Sequence, residues 1–134
     1  MQEARIKTIA MPSDKRNNES NISAGWIMKQ LDLAAGVAVK EFTQNRSVTI
    51  AMDEIHFKKP ILVGDYVLCY ADIAKVGKSS MDIALRVDVK RLSDDGFCEI
   101  KDLVSAKATF VSLDKHGKKI ILSEELKSKL ALQQ

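Results

Sequence analysis

One segment constrains the fold more than any other: Ala24 to Phe42, AGWIMKQLDLAAGVAVKEF. It is long enough for a helix of about five turns, and Ser23 stands where an N-cap oxygen is wanted. Trp26, Ile27, Leu31, Leu33, Ala34, Val37 and Ala38 cover most of its circumference. A helix apolar nearly all round must be buried nearly all round. Gly36 lowers helix propensity by roughly 1 kcal/mol relative to Ala, which suits a close backbone approach at that position.

The rest of the chain reads mainly as strands. A short apolar segment, Ile6 to Met11, ends at Pro12, and a polar loop follows from Ser13 to Ser23. Beyond the helix, Ser47 to Phe57 alternates and then changes phase, the mark of a bulge. Tyr66 to Val76 is apolar on both faces, as a central strand covered on both sides would be. The turn Gly77-Lys78-Ser79-Ser80 leads into the regular alternation of Met81, Ile83, Leu85, Val87 and Val89. Ser93-Asp94-Asp95-Gly96 is a hairpin turn, Cys98 to Leu113 a further long strand, and Ser123 to Leu132 a short C-terminal helix. Strands joined by short turns form an antiparallel sheet. The expected architecture is a single α+β domain, residues 1–134, with the sheet curled around the long helix. A small sheet cannot enclose a helix on every side, so the remaining apolar face predicts a homo-oligomer.

Composition narrows the chemistry. At 134 residues and 46% hydrophobic, the chain has the makings of one core. Its net charge of +3 is too small to argue for nucleic acid. No apolar run reaches the length of a membrane span, and the N-terminus lacks a signal-peptide core. Cys69 and Cys98 have no metal or redox spacing; they read as reduced packing thiols of a cytoplasmic protein. His56 and His116 are too scattered for a zinc site, and His56 reads as structural. Catalysis would therefore fall to carboxylates, amides, hydroxyls or backbone.

Asp32 is the outstanding candidate. A carboxylate between Leu31 and Leu33 on an apolar helix needs partners or a raised pKa. It can pair with Lys29 on a solvated stripe, or act as a general base or nucleophile in a cleft. Asn17, Asn18, Asn21 and Ser23 bring polar groups to the helix N-terminus, where the N–H groups of Ala24, Gly25 and Trp26 could bind an oxyanion.

Taken together, Met11-Pro12-Ser13-Asp14, Asn17 through Ser20, Ala24-Gly25-Trp26-Ile27-Met28 and Leu31-Asp32 resemble the YciA-like acyl-CoA thioesterases of the hotdog-fold superfamily. Phe57-x-x-Pro60 with Val63-Gly64-Asp65-x-Val67, and Gly77-x-Ser79-Ser80-Met81, are similar to further segments of that family. The resemblance implies a hotdog fold, a long central helix wrapped by a curved antiparallel sheet. It implies hydrolysis of acyl-CoA to free acid and CoA, with coenzyme A as part of the substrate and no separate cofactor or metal. Homodimers assembled into homohexamers are implied as well.

By the same resemblance, Asp32 matches the catalytic acid of the helix and Asn17 the active-site Asn, with Asn18 its rival. Gly25 matches the second glycine of the oxyanion pair, and Asn and Asp would come from opposite subunits. Gly77, Lys78, Ser79 and Ser80 would contact CoA, with Lys58, Lys59 and Lys90 as weaker candidates. Ser20 and Ala24 replace family glycines, and one extra residue separates Pro12 from Asn17. Two other readings stand beside hydrolysis. A non-catalytic acyl-CoA sensor would ordinarily need a fused DNA-binding module, and a hydroxyacyl-thioester dehydratase would need a His before or within the helix.

Overall fold

The computed structural model describes residues 3–16 and 20–133. Five strands form one antiparallel sheet: β1 (Ile6–Ile9), β2 (Arg46–Phe57), β3 (Tyr66–Val76), β4 (Ser80–Ser93) and β5 (Gly96–Leu113). Their spatial order is β1-β3-β4-β5-β2. The long helix α1 (Ala24–Thr43) packs on one face of the sheet, and a second helix, α2 (Glu124–Gln133), follows β5.

Local chemistry sets the ends of α1. Ser23 accepts a hydrogen bond from the Trp26 amide, so the N-cap is as expected. At the other end Gln44 adopts the left-handed conformation, φ 56°, and its N–H closes onto the Lys40 carbonyl. That reversal sends the chain straight into β2, which runs back along the helix.

The core lies between α1 and the inward face of the sheet. Ile27, Leu31, Ala34, Ala35, Ala38, Val39 and Phe42 form the buried face of the helix. They meet Val67, Cys69, Ala71 and Ile73 of β3, the alternate residues Met81 to Val89 of β4, and Val104, Ala106, Ala108 and Phe110 of β5. The period-two pattern of β4 is thus a true half-buried strand.

One expectation from patterning holds and two need correction. First, α1 is not enclosed by its own chain, as expected of a small sheet. Leu33 is 48% exposed, and Met28, Ala24 and Gly25 are open too, because the sheet covers a single side. Second, β3 is not central and is buried on both faces only at Val67, Leu68 and Cys69. That stretch is where β1 flanks it, the register running from Ile6 opposite Cys69 to Ile9 opposite Tyr66. Beyond Cys69 its burial alternates. Third, only Cys69 is a packing thiol, since Cys98 near the β4–β5 hairpin is exposed.

The phase change in β2 is real. Its pairing with β5 slips between Thr49 and Ala51 and again between Asp53 and His56, and Glu54 takes a positive φ of 50°. His56 lies opposite Ser105, exposed on the strand.

Two outcomes follow from this packing. Leu31→Ala, at a site with no exposed surface, should lower stability by about 2–5 kcal/mol in urea unfolding. Burial pushes the Cys69 thiol up to about 12, so its reactive thiolate is suppressed at neutral and mildly alkaline pH. Iodoacetamide at pH 8 should label Cys98 in the native protein and reach Cys69 only after denaturation.

Candidate functional site

Asp32 lies in the middle of α1 on the side turned away from the core and is exposed in the chain, one of the two settings its sequence left open. Its partner is not Lys29. The Thr49 hydroxyl on β2 donates to Asp32 Oδ1 at 2.6 Å. Thr49 pairs with Phe110, an inward-facing residue of β5, and β2 runs antiparallel to the helix that precedes it. The αL reversal at Gln44 therefore sets which β2 residue meets the carboxylate. The hydroxyl holds one carboxylate oxygen, and Asp32 lines a groove of about 410 Å³.

That groove is lined by Asp32, Leu33, Gly36, Val37, Lys40, Ser47, Thr49 and Phe110, among others. Gly36 has no neighbour within 4 Å of where a Cβ would stand. No close backbone approach is made there within the chain, and Gly36 lines the groove.

The helix N-terminus forms a second pocket, of about 440 Å³, lined by Asn21, Ile22, Ser23, Ala24, Phe57, Pro60 and Ile61, among others. Of the three amides considered for an oxyanion, that of Trp26 is already committed to the Ser23 cap. Gly25 is exposed, with nothing within 4 Å of a Cβ position. Asn17 and Asn18 lie outside the described residues. On one helix, Gly25 and Asp32 are separated by about 10.5 Å of axial rise. The helix N-terminal pocket and the Asp32 groove are thus separate places on one chain, with no lining residue in common.

The turn Gly77 to Ser80 is a tight hairpin. Gly77 N donates to the Ser80 carbonyl at 2.7 Å, and Leu122 N donates to the Lys78 carbonyl at 2.7 Å. A side chain at Gly77 would press on Ser80, with Oγ 3.2 Å from the Cβ position. Lys78 is exposed, while Ser79 and Ser80 are partly covered. Ser80 pairs with Val111, which pairs with Val48. The turn and the Ser47–Thr49 wall of the Asp32 groove therefore share one end of the sheet. Lys58 is bound to Asp102 at 2.6 Å, while Lys59 lines the helix N-terminal pocket.

Sequence reasoning missed two groups. Thr49 is one, since nothing in its own strand pattern marks it as the partner of a residue on the helix. Asp65 is the other. At its Gly-Asp turn it accepts from Leu62 N at 2.9 Å, and it is buried and gripped by Arg91 through Nε at 2.9 Å and Nη2 at 2.8 Å. The hydrogen bond to Asp65 holds the Arg91 guanidinium above its ordinary pKa, against the opposing effect of desolvation.

A larger cavity, of about 480 Å³, lies apart from Asp32, between the C-terminal half of α1, β3 and α2. Arg5 and Glu41, both on its lining, pair at 2.8 Å. Among the described residues, no helix is long and apolar enough to cross a membrane.

This arrangement has close counterparts. Residues 19–93 match the Thioesterase superfamily. The chain is 39% identical over 131 residues to an uncharacterised acyl-CoA thioester hydrolase of Haemophilus influenzae, covering 95% of this chain and 84% of that one. It is 34% identical over 113 residues to the acyl-CoA thioester hydrolase YciA of Salmonella typhimurium, covering 84% of each. The fold superposes on a hexameric hotdog-fold thioesterase of Campylobacter jejuni with a TM-score of 0.88, at 39% identity and with 96% of both chains covered. With one long helix on a five-stranded antiparallel sheet and relatives matched over most of its length, the chain belongs to the thioesterase superfamily and has the hotdog fold.

Proposed function

We propose that this protein hydrolyses acyl-CoA thioesters to the free acid and CoA, with Asp32 as general base. The observation that carries the reading is the Thr49–Asp32 hydrogen bond at 2.6 Å in an open groove. It orients one carboxylate oxygen and leaves the other for water. The naming of the relatives as acyl-CoA thioester hydrolases supports the same chemistry.

In the reaction, the free Asp32 oxygen takes a proton from water as its oxygen attacks the thioester carbonyl carbon. Negative charge moves to the carbonyl oxygen, which is met by the exposed helix N-terminal amide of Gly25 and by Asn17, or by its neighbour Asn18. Collapse of the tetrahedral species breaks the C–S bond. The CoA sulfur leaves with a proton, and Asp32 returns to the carboxylate. No separate cofactor is consumed, because CoA enters as part of the substrate.

The separation of the Gly25 amide from Asp32 along one helix motivates an active site shared between subunits. Two copies placed helix against helix would bring Asp32 of one toward the N-terminal amides of the other. The exposed Leu33, Val48, Ile50 and Phe57 supply an apolar surface for that contact, and the open edge of β2 supplies backbone partners. The unit is a homodimer, assembled into a homohexamer like the Campylobacter neighbour. Lys78, Ser79 and Ser80, on a turn at the same end of the sheet as the Asp32 groove, supply donors for CoA phosphates. Two free thiols suit a reducing compartment, in keeping with a cytoplasmic enzyme.

An acyl-CoA panel with detection of free CoA thiol tests the chemistry. Asp32→Ala should lower kcat by about 10²–10⁴-fold. Equal rates in the two proteins would remove Asp32 from the mechanism, and tight acyl-CoA binding without turnover would make the protein a sensor. Thr49→Val should cost about tenfold in kcat, the worth of one hydrogen bond to a charged group. Light scattering should give a mass six times that of the chain.

A further inference from the structure

We infer that Asp65 and Arg91 are positioning residues for the helix N-terminal half of the active site, acting through the loop between β2 and β3; this assignment rests on the hydrolytic reading above. Asp65 is 1% exposed. Its two oxygens accept from Arg91 Nε and Nη2, and Oδ2 also accepts from Leu62 N. Arg91 Nη2 reaches on to the Pro60 carbonyl at 3.3 Å. The pair thus pins the loop at two points, a carbonyl at Pro60 and an amide at Leu62.

The pinned stretch is the one that holds the chain entering α1. Ile22 N donates to the Ile61 carbonyl at 2.8 Å, and Val63 N donates to the Ser20 carbonyl at 3.2 Å. Asn21 bridges Leu62. Ser23 follows immediately and caps the helix. Pro60 and Ile61 also line the pocket at Ala24. A second tie runs through the backbone of the same turn, where Ala10 N donates to the Asp65 carbonyl at 3.0 Å and Gly64 N to the Ala10 carbonyl at 2.7 Å. Ion pair, loop, pre-helix segment and helix N-terminus form one connected series.

Stability alone is a weak reason for such a pair, because well-packed apolar residues often serve a buried site as well or better. What a two-pronged guanidinium–carboxylate pair supplies is direction. It sets where the loop stands, and so where the free amides at the start of α1 point. Neither residue lies on the Asp32 groove or touches Thr49. The general base should therefore be untouched by their loss, while alignment of the oxyanion donors should suffer.

The test uses the full-length protein in its native assembly, assayed with an acyl-CoA that the wild type cleaves. Arg91→Met should lower kcat by about 10- to 100-fold, the scale of an ångström-sized misplacement, with KM changed by less than about threefold. Its circular dichroism, assembly mass and pH profile of kcat/KM should remain those of the wild type. Arg91→Lys, which keeps the charge but not the fork, should recover part of the loss. Hydrogen exchange at Ile22 and Val63 should quicken in Arg91→Met, with exchange along the rest of α1 unchanged.

Should Arg91→Met fail to fold, Asp65→Asn, which keeps the shape and loses the charge, carries the same expectations. Folded variants with wild-type kcat would overturn the assignment, as would a loss confined to KM. A wild type that binds acyl-CoA without cleaving it would overturn the hydrolytic reading and this assignment with it. A wild type that turns over beside a fully active folded variant would overturn the assignment alone.

Discussion

A helix with more apolar surface than one sheet can cover is the constraint on which the rest of this protein depends. Leu31, Ala34, Ala35 and Val39 are sealed against the sheet, yet Met28 and Leu33 on the other side stand open. The hydrophobic effect makes no distinction between cover from the same chain and cover from another. Asp32 is on the uncovered side, so the group with the most evident chemistry faces the surface with the greatest tendency to be buried. Its exposure in one chain and its proposed place in a water-poor cleft are two views of a single arrangement.

The separation of carboxylate and amides along α1 follows from helix geometry. A helix's free N–H groups exist only at the first turn, and Asp32 stands about two turns further on. In the proposed dimer, antiparallel packing of two such helices brings the two groups together without any change in either chain. The Thr49 hydroxyl holds the Asp32 carboxylate still. An exposed carboxylate would sample several rotamers, and one short hydrogen bond from a β-branched, stiff side chain limits them.

Much of this was legible in the residues themselves. Ser23 as cap, the extent of α1, the bulged β2 and the hairpin turns all follow from local rules, because caps and turns are settled by near neighbours. Asp32 stood out because a charge amid leucines is costly. The side it faced was not legible, since that depends on where the sheet stops. Thr49 and the Asp65–Arg91 pair escaped notice for a related reason: strand register and loop packing bring them together, and no local period records it. Gly36 meets nothing within its own chain, which the sequence left open, because a missing side chain reads alike whether backbone or open space lies beside it. The roles assigned to Asn17 and to the Gly77–Ser80 turn came from family resemblance and remain proposals.

The irregularity of β2 has a consequence for self-association. A twelve-residue strand on an open sheet edge, with Val48, Ile50 and Phe57 exposed, is the kind of template on which chains add without end. The two slips against β5 and the left-handed turn of the backbone at Glu54 interrupt that template. An incoming strand meets short, differently angled stretches rather than one straight rail, and a copy displaced by a residue loses its fit. The same irregularities that bend β2 therefore work against open-ended strand addition.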